Sequence, residues 1–126
     1  ISPLLEVHYL RNGRDEKVKR ILEFCRQHDD LYIYGAGKIG KRAEDFLNSH
    51  AIAFQGFVVS DDQWEYNRCK VLSHPIYPLK KIKQKEKKGI LLALNARNAA
   101  EALEELTKAE ITDYMNVDGI NGAVWI

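Results

Sequence analysis

The sequence predicts an α/β domain, a three-layer sandwich with a mostly parallel sheet, preceded by an N-terminal helix. Three observations carry that prediction. Short β-rich or apolar runs such as "LYIYG", "AFQGFVVSDD" and "GILLALN" alternate with stretches of helical apolar spacing, and strand then helix, repeated, means a parallel sheet covered on both faces. The first of these runs ends in a cluster of glycines that opens onto a helix. The run from Gly89 to Asn95 is short, continuously apolar and bounded by turn residues, as a central strand buried on both faces should be.

Taken in order, Asp15 can cap a helix in which Val18, Ile21, Leu22, Phe24 and Cys25 recur at helical spacing up to about His28. Leu31 to Tyr34 form the first strand. A second helix is expected from about Lys38 to Ser49, burying Ile39, Ala43, Phe46 and Leu47. "AFQGFVVSDD" reads as a strand and then a turn, and Gln63 to Arg68 as a polar, aromatic loop. "KVLSHPIYPL" holds one short strand that Pro75 and Pro78 confine to an edge or a bend. The lysine-dense stretch from Lys80 to Lys88 is expected to be a helix with a solvated basic face. "ARNAAEALEELTKAE" is strongly helical, with Ala99, Ala102, Leu103 and Leu106 on one face. "ITDYMNV" closes the alternation as a strand, before turns at Asp118-Gly119 and Asn121-Gly122 and the apolar "AVWI" end. These readings divide the chain into an N-terminal helical lead (1–30), a core (31–117) and a tail or linker toward a further domain (118–126). The first residue is Ile1, so the chain is expected to be a segment of something longer.

Bulk properties narrow the function classes. The 126 residues suit one domain with one core, and 45% apolar with 29% charged residues is ordinary globular composition. Nineteen basic against eighteen acidic residues leave +1, so no global field steers the protein toward nucleic acid or membrane. No apolar run approaches the roughly 20 residues needed to span a bilayer, and the N-terminus lacks the order of a signal peptide, so the cytoplasm is the expected location. Cys25 and Cys69 are too few for a disulfide framework. With His28 and His74 they lack the close spacing of a structural zinc site, and no metal is expected.

"YIYGAGKIGKRAEDF" satisfies two phosphate-binding patterns at once. Gly35, Gly40 and Lys41 supply most of a P-loop, but that motif needs a Ser or Thr hydroxyl next to hold Mg²⁺, and Arg42 stands there. Gly35, Gly37 and Gly40 give GxGxxG, the dinucleotide fingerprint of a Rossmann-like fold. It requires a strand before, a helix after and an acidic residue about 20 positions on. All three are present, for Asp61 lies 21 residues beyond Gly40. In that pattern Gly35 permits the tight turn, Gly37 lets the backbone approach a pyrophosphate, and Gly40 lets the helix pack close to the strand. The unpaired amides at the start of the helix then face the ligand. Lys38 adds positive charge inside the loop, while Lys41 and Arg42 can face solvent. Asp61 or Asp62 would accept hydrogen bonds from ribose hydroxyls, and Asn95 would either contact the ligand's second half or cap the helix that follows. With Ala36, Ile39 and Ser60 beside them, the candidate cofactor-binding residues are Gly35, Ala36, Gly37, Lys38, Ile39, Gly40, Ser60, Asp61, Asp62 and Asn95.

"IYGAGKIGKRAEDFL", "GFVVSDD", "VLSHPIYPLKKI" and "GILLALN" together resemble the small Rossmann-like nucleotide-binding modules of bacterial polysaccharide-biosynthesis proteins. Such modules lead nucleotide-sugar dehydratases and sugar acetyltransferases, which use coenzyme A donors, and are attached to some sugar glycosyl- and methyltransferases. The likeness covers roughly Leu31 to Val117. It implies that Gly35, Gly37, Lys38, Ile39, Gly40 and Asp61 line a site for a nucleotide-sugar or NAD, and that catalysis belongs to a covalently attached domain. A homo-oligomer is compatible with such modules. The stretch from Gln63 to Cys69 departs from the family's usual "GxxixGxpV" linker, bringing Trp64 and Tyr66, which either stack on a base or fill the crevice.

No catalytic set stands out in the chain. Tyr77 with Lys81 and Tyr34 with Lys38 have the spacing of the Tyr-Lys pair of short-chain dehydrogenases, but neither pair falls on one helix. No GxSxG or HExxH occurs. Two function classes follow: a nucleotide or nucleotide-sugar binding module, and a non-catalytic assembly or regulatory domain without ligand. An NAD-dependent oxidoreductase fragment is a third reading.

Overall fold

The computed structural model describes residues 16, 18–85 and 88–116. Within them, helix α1 (18–26) leads into β1 (Leu31–Tyr34), α2 (Lys38–Ser49), β2 (Gly56–Val59), α3 (Asp61–Asn67), β3 (Ile76–Pro78), α4 (Leu79–Lys83), β4 (Gly89–Leu92), α5 (Ala96–Lys108) and β5 (Tyr114–Asn116). The strands form one sheet in the order β3-β2-β1-β4-β5, and every pairing is parallel. This is the Rossmann-like α/β arrangement expected from the alternation of elements. Asp15, Val117 and the stretch from Asp118 to the "AVWI" end lie outside the described residues.

Side-chain alternation along the strands builds two cores. Leu31 and Ile33 of β1, Phe57 of β2 and Leu91 of β4 face α1 and α2, where they meet Ile21, Cys25, Phe46 and Leu47. Tyr32 and Tyr34, Val58, Ile90 and Leu92 face the other way, onto Leu79 and Ile82 of α4 and Ala102 and Leu106 of α5. Every residue of β1, β2 and β4 is buried, which is why these strands read as apolar runs and not as a polar-apolar alternation. Burial also pushes the Cys25 thiol up to about 12, so it packs as a small apolar group.

The edges account for the prolines. β3 is an outer strand, so the donor that Pro78 lacks is missing from an edge, while the Pro75 carbonyl accepts from the Phe57 amide at 2.8 Å.

Two elements differ from expectation. The stretch from Gln63 to Arg68 is not a loop: α3 begins at Asp61 and runs to Asn67. It is a helix without an apolar stripe, held by Asp61 and Asp62 in its first turn and by Asn67 Nδ2, which donates to the Gln63 carbonyl at 2.8 Å. The Arg68 guanidinium lies 5.3 Å from the Trp64 ring and adds a cation–π contact at its end. The basic helix is shorter than Lys80 to Lys88. α4 ends at Lys83 because Leu79 and Ile82 are its only apolar anchors, and no apolar residue follows until Ile90. Lys88 Nζ then donates to the carbonyls of Lys83 and Lys85, at 3.3 and 2.6 Å.

The crossover from β3 to β4 passes over β2 and β1, so connections leave the sheet in opposite directions after β1 and after β4. A crevice opens between these neighbours beyond their carboxyl ends, the usual place for a ligand in an open parallel sheet. No helix among the described residues is long and apolar enough to cross a membrane.

Candidate functional site

The turn after β1 lies in that crevice. The Gly35 amide donates to the Val58 carbonyl at 2.9 Å and the Ala93 amide to the Tyr34 carbonyl at 3.0 Å, so the turn is tied to the ends of three adjacent strands. Two of its glycines are demanded by the chain itself. Gly35 has φ +127°, and a Cβ there would come within 2.5 Å of the Ala93 carbonyl oxygen. A Cβ at Gly40 would collide with the Gly35 carbonyl, because the first turn of α2 lies directly on the loop.

Gly37 is different. It is the N-cap of α2 with ordinary negative φ (−102°), and a Cβ there would meet no atom of the described residues within 4 Å. It has no side chain to bond the first amides of the helix, and the first turn of α2 carries no acidic residue. These amides therefore end α2 as a cluster of donors carrying its positive dipole, worth about 0.3–2 kcal/mol to an anion.

Gly35, Ala36 and Gly37 line a cavity of about 530 Å³. Val58, Val59 and Ser60 at the end of β2 form one wall, with Asp62, Gln63 and Asn67 of α3 behind them. Leu94 and the α5 residues Asn98, Glu101, Ala102, Glu104 and Glu105 form the other wall. Tyr34 lies at the floor, only 4% exposed. Burial raises its phenol pKa above the ordinary 10.0, and the Glu105, Asp62 and Asp61 carboxylates raise it further against a smaller opposing effect of the Ser60 hydroxyl. The phenol thus stays protonated and able to donate.

The structure gathers part of the candidate set. Gly35, Ala36, Gly37, Ser60 and Asp62 line the cavity, and Lys38, Ile39, Gly40, Asp61 and Asn95 do not. Asp61 faces away, its Oδ1 accepting from the Lys80 amide at 2.9 Å in the first turn of α4. Asn95 caps α5, its Oδ1 accepting from the Asn98 amide at 2.9 Å. Ile39 packs on the core, and Lys38 is exposed beside the mouth. Of the two aspartates, only Asp62 lines the cavity.

The aromatic side chains of the α3 segment leave the mouth open. Trp64 is half-buried beneath Arg68, its Nε1 without a hydrogen-bond partner among the described residues, and Tyr66 is 79% exposed; neither lines the cavity. The cysteine-histidine combination does not come together either. Cys25 is buried, Cys69 is exposed, the His28 ring bonds the Phe24 carbonyl and His74 stacks on Phe54. Among the described residues no group of three or more His, Cys, Asp or Glu side chains is placed to hold a metal ion.

No protein-family profile, curated protein or solved structure matches the chain.

The residues that sequence reasoning missed, Tyr34, Asn67, Asn98, Glu101, Glu104 and Glu105, come from α3, from α5 and from the strand itself. Glu104 and Glu105 lie three and four positions beyond Glu101, a helical spacing readable as a signal only once the rotation of α5 on the sheet is known.

Proposed function

We propose that the protein is a nucleotide or nucleotide-sugar binding module that holds a diphosphate at the GAGKIG turn. One observation carries the reading: of the three motif glycines, the fold needs Gly35 and Gly40, whereas the space beside Gly37 is filled by nothing among the described residues. A glycine that leaves room where the amides of a helix are uncapped, at the mouth of a cavity in the sheet's switch point, is suited to a phosphate drawing close to the backbone. Phosphate oxygens would accept from the first amides of α2, with Lys38 beside them, and Asp62 would accept from ribose hydroxyls. Binding at the micromolar level needs about 8 kcal/mol, far more than a helix dipole supplies, so most of it must come from the ribose, the base and the group beyond them.

NAD and nucleotide-sugars both fit this scheme. The resemblance to polysaccharide-biosynthesis modules favours a nucleotide-sugar, and a role inside a larger bacterial surface-polysaccharide enzyme whose chemistry resides in an attached domain, such as a transferase. In this reading the module binds and orients, and no residue of the chain is assigned a catalytic step. The assembly reading draws on a separate observation, the exposed apolar side chains Tyr66 on α3 and Val71 in the segment that follows it, 79% and 95% accessible.

Thermal-shift measurement with NAD, UDP-sugars, CDP-linked ligands and coenzyme A separates the two. Stabilisation by one of them in the parent protein but not in Gly37→Val supports binding. No shift with any ligand, together with concentration-dependent self-association lost in Tyr66→Ser/Val71→Ser, favours assembly.

A further inference from the structure

α3 stands on one side of the cavity, where Asp62, Gln63 and Asn67 form part of its wall, and it rests against β2 and the edge strand β3. Its attachments are few. The hydrogen bonds of α3 run within the helix and its flanking residues: Asn67 Nδ2 to the Gln63 carbonyl at 2.8 Å, the Gln63 amide to the Ser60 carbonyl at 3.0 Å and the Arg68 amide to the Trp64 carbonyl at 2.8 Å. Among the described residues the exception is Asp61, whose Oδ1 accepts from the Lys80 amide in α4. Beyond it, the next tie to a neighbouring element comes at Ser73 and His74, which both meet Glu44 of α2. Apolar contacts do not anchor the helix in their place, for neither Trp64 nor Tyr66 belongs to either of the two cores.

A second and independent observation concerns Trp64. Its Nε1 is the one buried side-chain nitrogen or oxygen without a hydrogen-bond partner among the described residues. Such a donor costs stability in the position seen and regains it wherever the indole reaches water or an acceptor.

We propose that α3 is a gate. It swings as one unit between the Asp61 tether and the Ser73-His74 tie, and so opens and closes the cavity wall that faces α5. A helix with few apolar anchors opens locally at a fraction of the free energy of global unfolding, which is the property a lid needs. The unpaired indole lowers the cost of opening, because swinging α3 outward hydrates it. The inference goes beyond the nucleotide reading and concerns access to the cavity, whatever enters it.

Native-state hydrogen exchange on the ligand-free protein tests it. The amides of Glu65 to Arg68 should exchange at least about a hundredfold faster than those of Leu47 in α2 and Leu106 in α5, at a rate insensitive to low urea, as local opening requires. Asp61→Ala should speed the α3 amides by a common factor of about ten and leave Leu47 and Leu106 unchanged. Trp64→Phe keeps a ring beside Arg68 and deletes the unpaired donor, and it should slow them at least about threefold. Ala102 lies on the facing wall, 3% exposed. In a Cys69→Ser background, the thiol introduced by Ala102→Cys should react with a small thiol reagent at a rate that Asp61→Ala raises by the same factor as α3 exchange. Protection of α3 equal to that of α2 and α5, exchange that Trp64→Phe does not slow, or thiol reactivity that does not follow α3 exchange overturns the gate.

Discussion

Two helices begin side by side at the carboxyl edge of the sheet, and they begin in opposite ways. α5, which follows β4, is closed by its own N-cap: the Asn95 side chain accepts from the Asn98 amide at 2.9 Å. α2, which follows β1 in the neighbouring position, has Gly37 at the same point and no side chain to do the same work. One helix start is closed by a side-chain cap and the other is not. The difference separates a helix start that a side chain completes for folding from one that, on the proposed reading, a bound phosphate would complete.

Four measurements sharpen or break that contrast. Gly40→Ala places a methyl against the Gly35 carbonyl and should cost about 3 kcal/mol in urea unfolding; a loss below about 1 kcal/mol would mean that α2 is not pinned to the turn. Asn95→Ala removes the cap of α5 and should cost about 1 kcal/mol by the same assay, with no change in ligand response. Gly37→Ser gives α2 the cap it lacks. It should leave the free protein equal in stability or up to about 0.5 kcal/mol more stable and weaken anion binding, since the hydroxyl takes amides that a phosphate would use.

The smallest effect concerns Tyr34, on the floor between the two helix starts. Its folded-state pKa is raised by burial and by the Glu105, Asp62 and Asp61 carboxylates, so the folded protein keeps a proton that the unfolded chain releases. The contribution to stability is complete below the unfolded value near 10.0 and is lost as pH rises above it. Spectrophotometric titration should show Tyr34 ionising above the ordinary 10.0, and Tyr34→Phe should flatten the alkaline fall in stability.

Much of the fold was legible in the residues. β1, β4, α2 and α5 announce themselves because buried strands and amphipathic helices leave a periodic record, and Pro75 with Pro78 correctly marked β3 as an edge. α3 escaped because it is held by Asp61 and Asp62 in its first turn and by the Asn67–Gln63 hydrogen bond and not by an apolar stripe. The site was legible at the glycine turn, where spacing constrains geometry, and less so beyond it. Asp61 stands at the motif's expected distance, yet its carboxylate turns to the Lys80 amide while Asp62 faces the cavity. A one-residue choice of that kind depends on where α4 starts relative to β2, which no local pattern encodes. The acidic α5 wall was hidden for the same reason.

The most direct test is a ¹⁵N-resolved amide titration with UDP-glucose and with NAD, in the parent protein and in Gly37→Val. For the ligand that binds, the largest shifts should fall on the amides of Gly37, Lys38 and Ile39, with the Asn98 amide, already held by Asn95, moving far less. In Gly37→Val the spectrum should remain that of a folded protein and those shifts should vanish. Shifts that spare the α2 amides, or that survive the valine, would contradict the claim that this helix start receives a diphosphate.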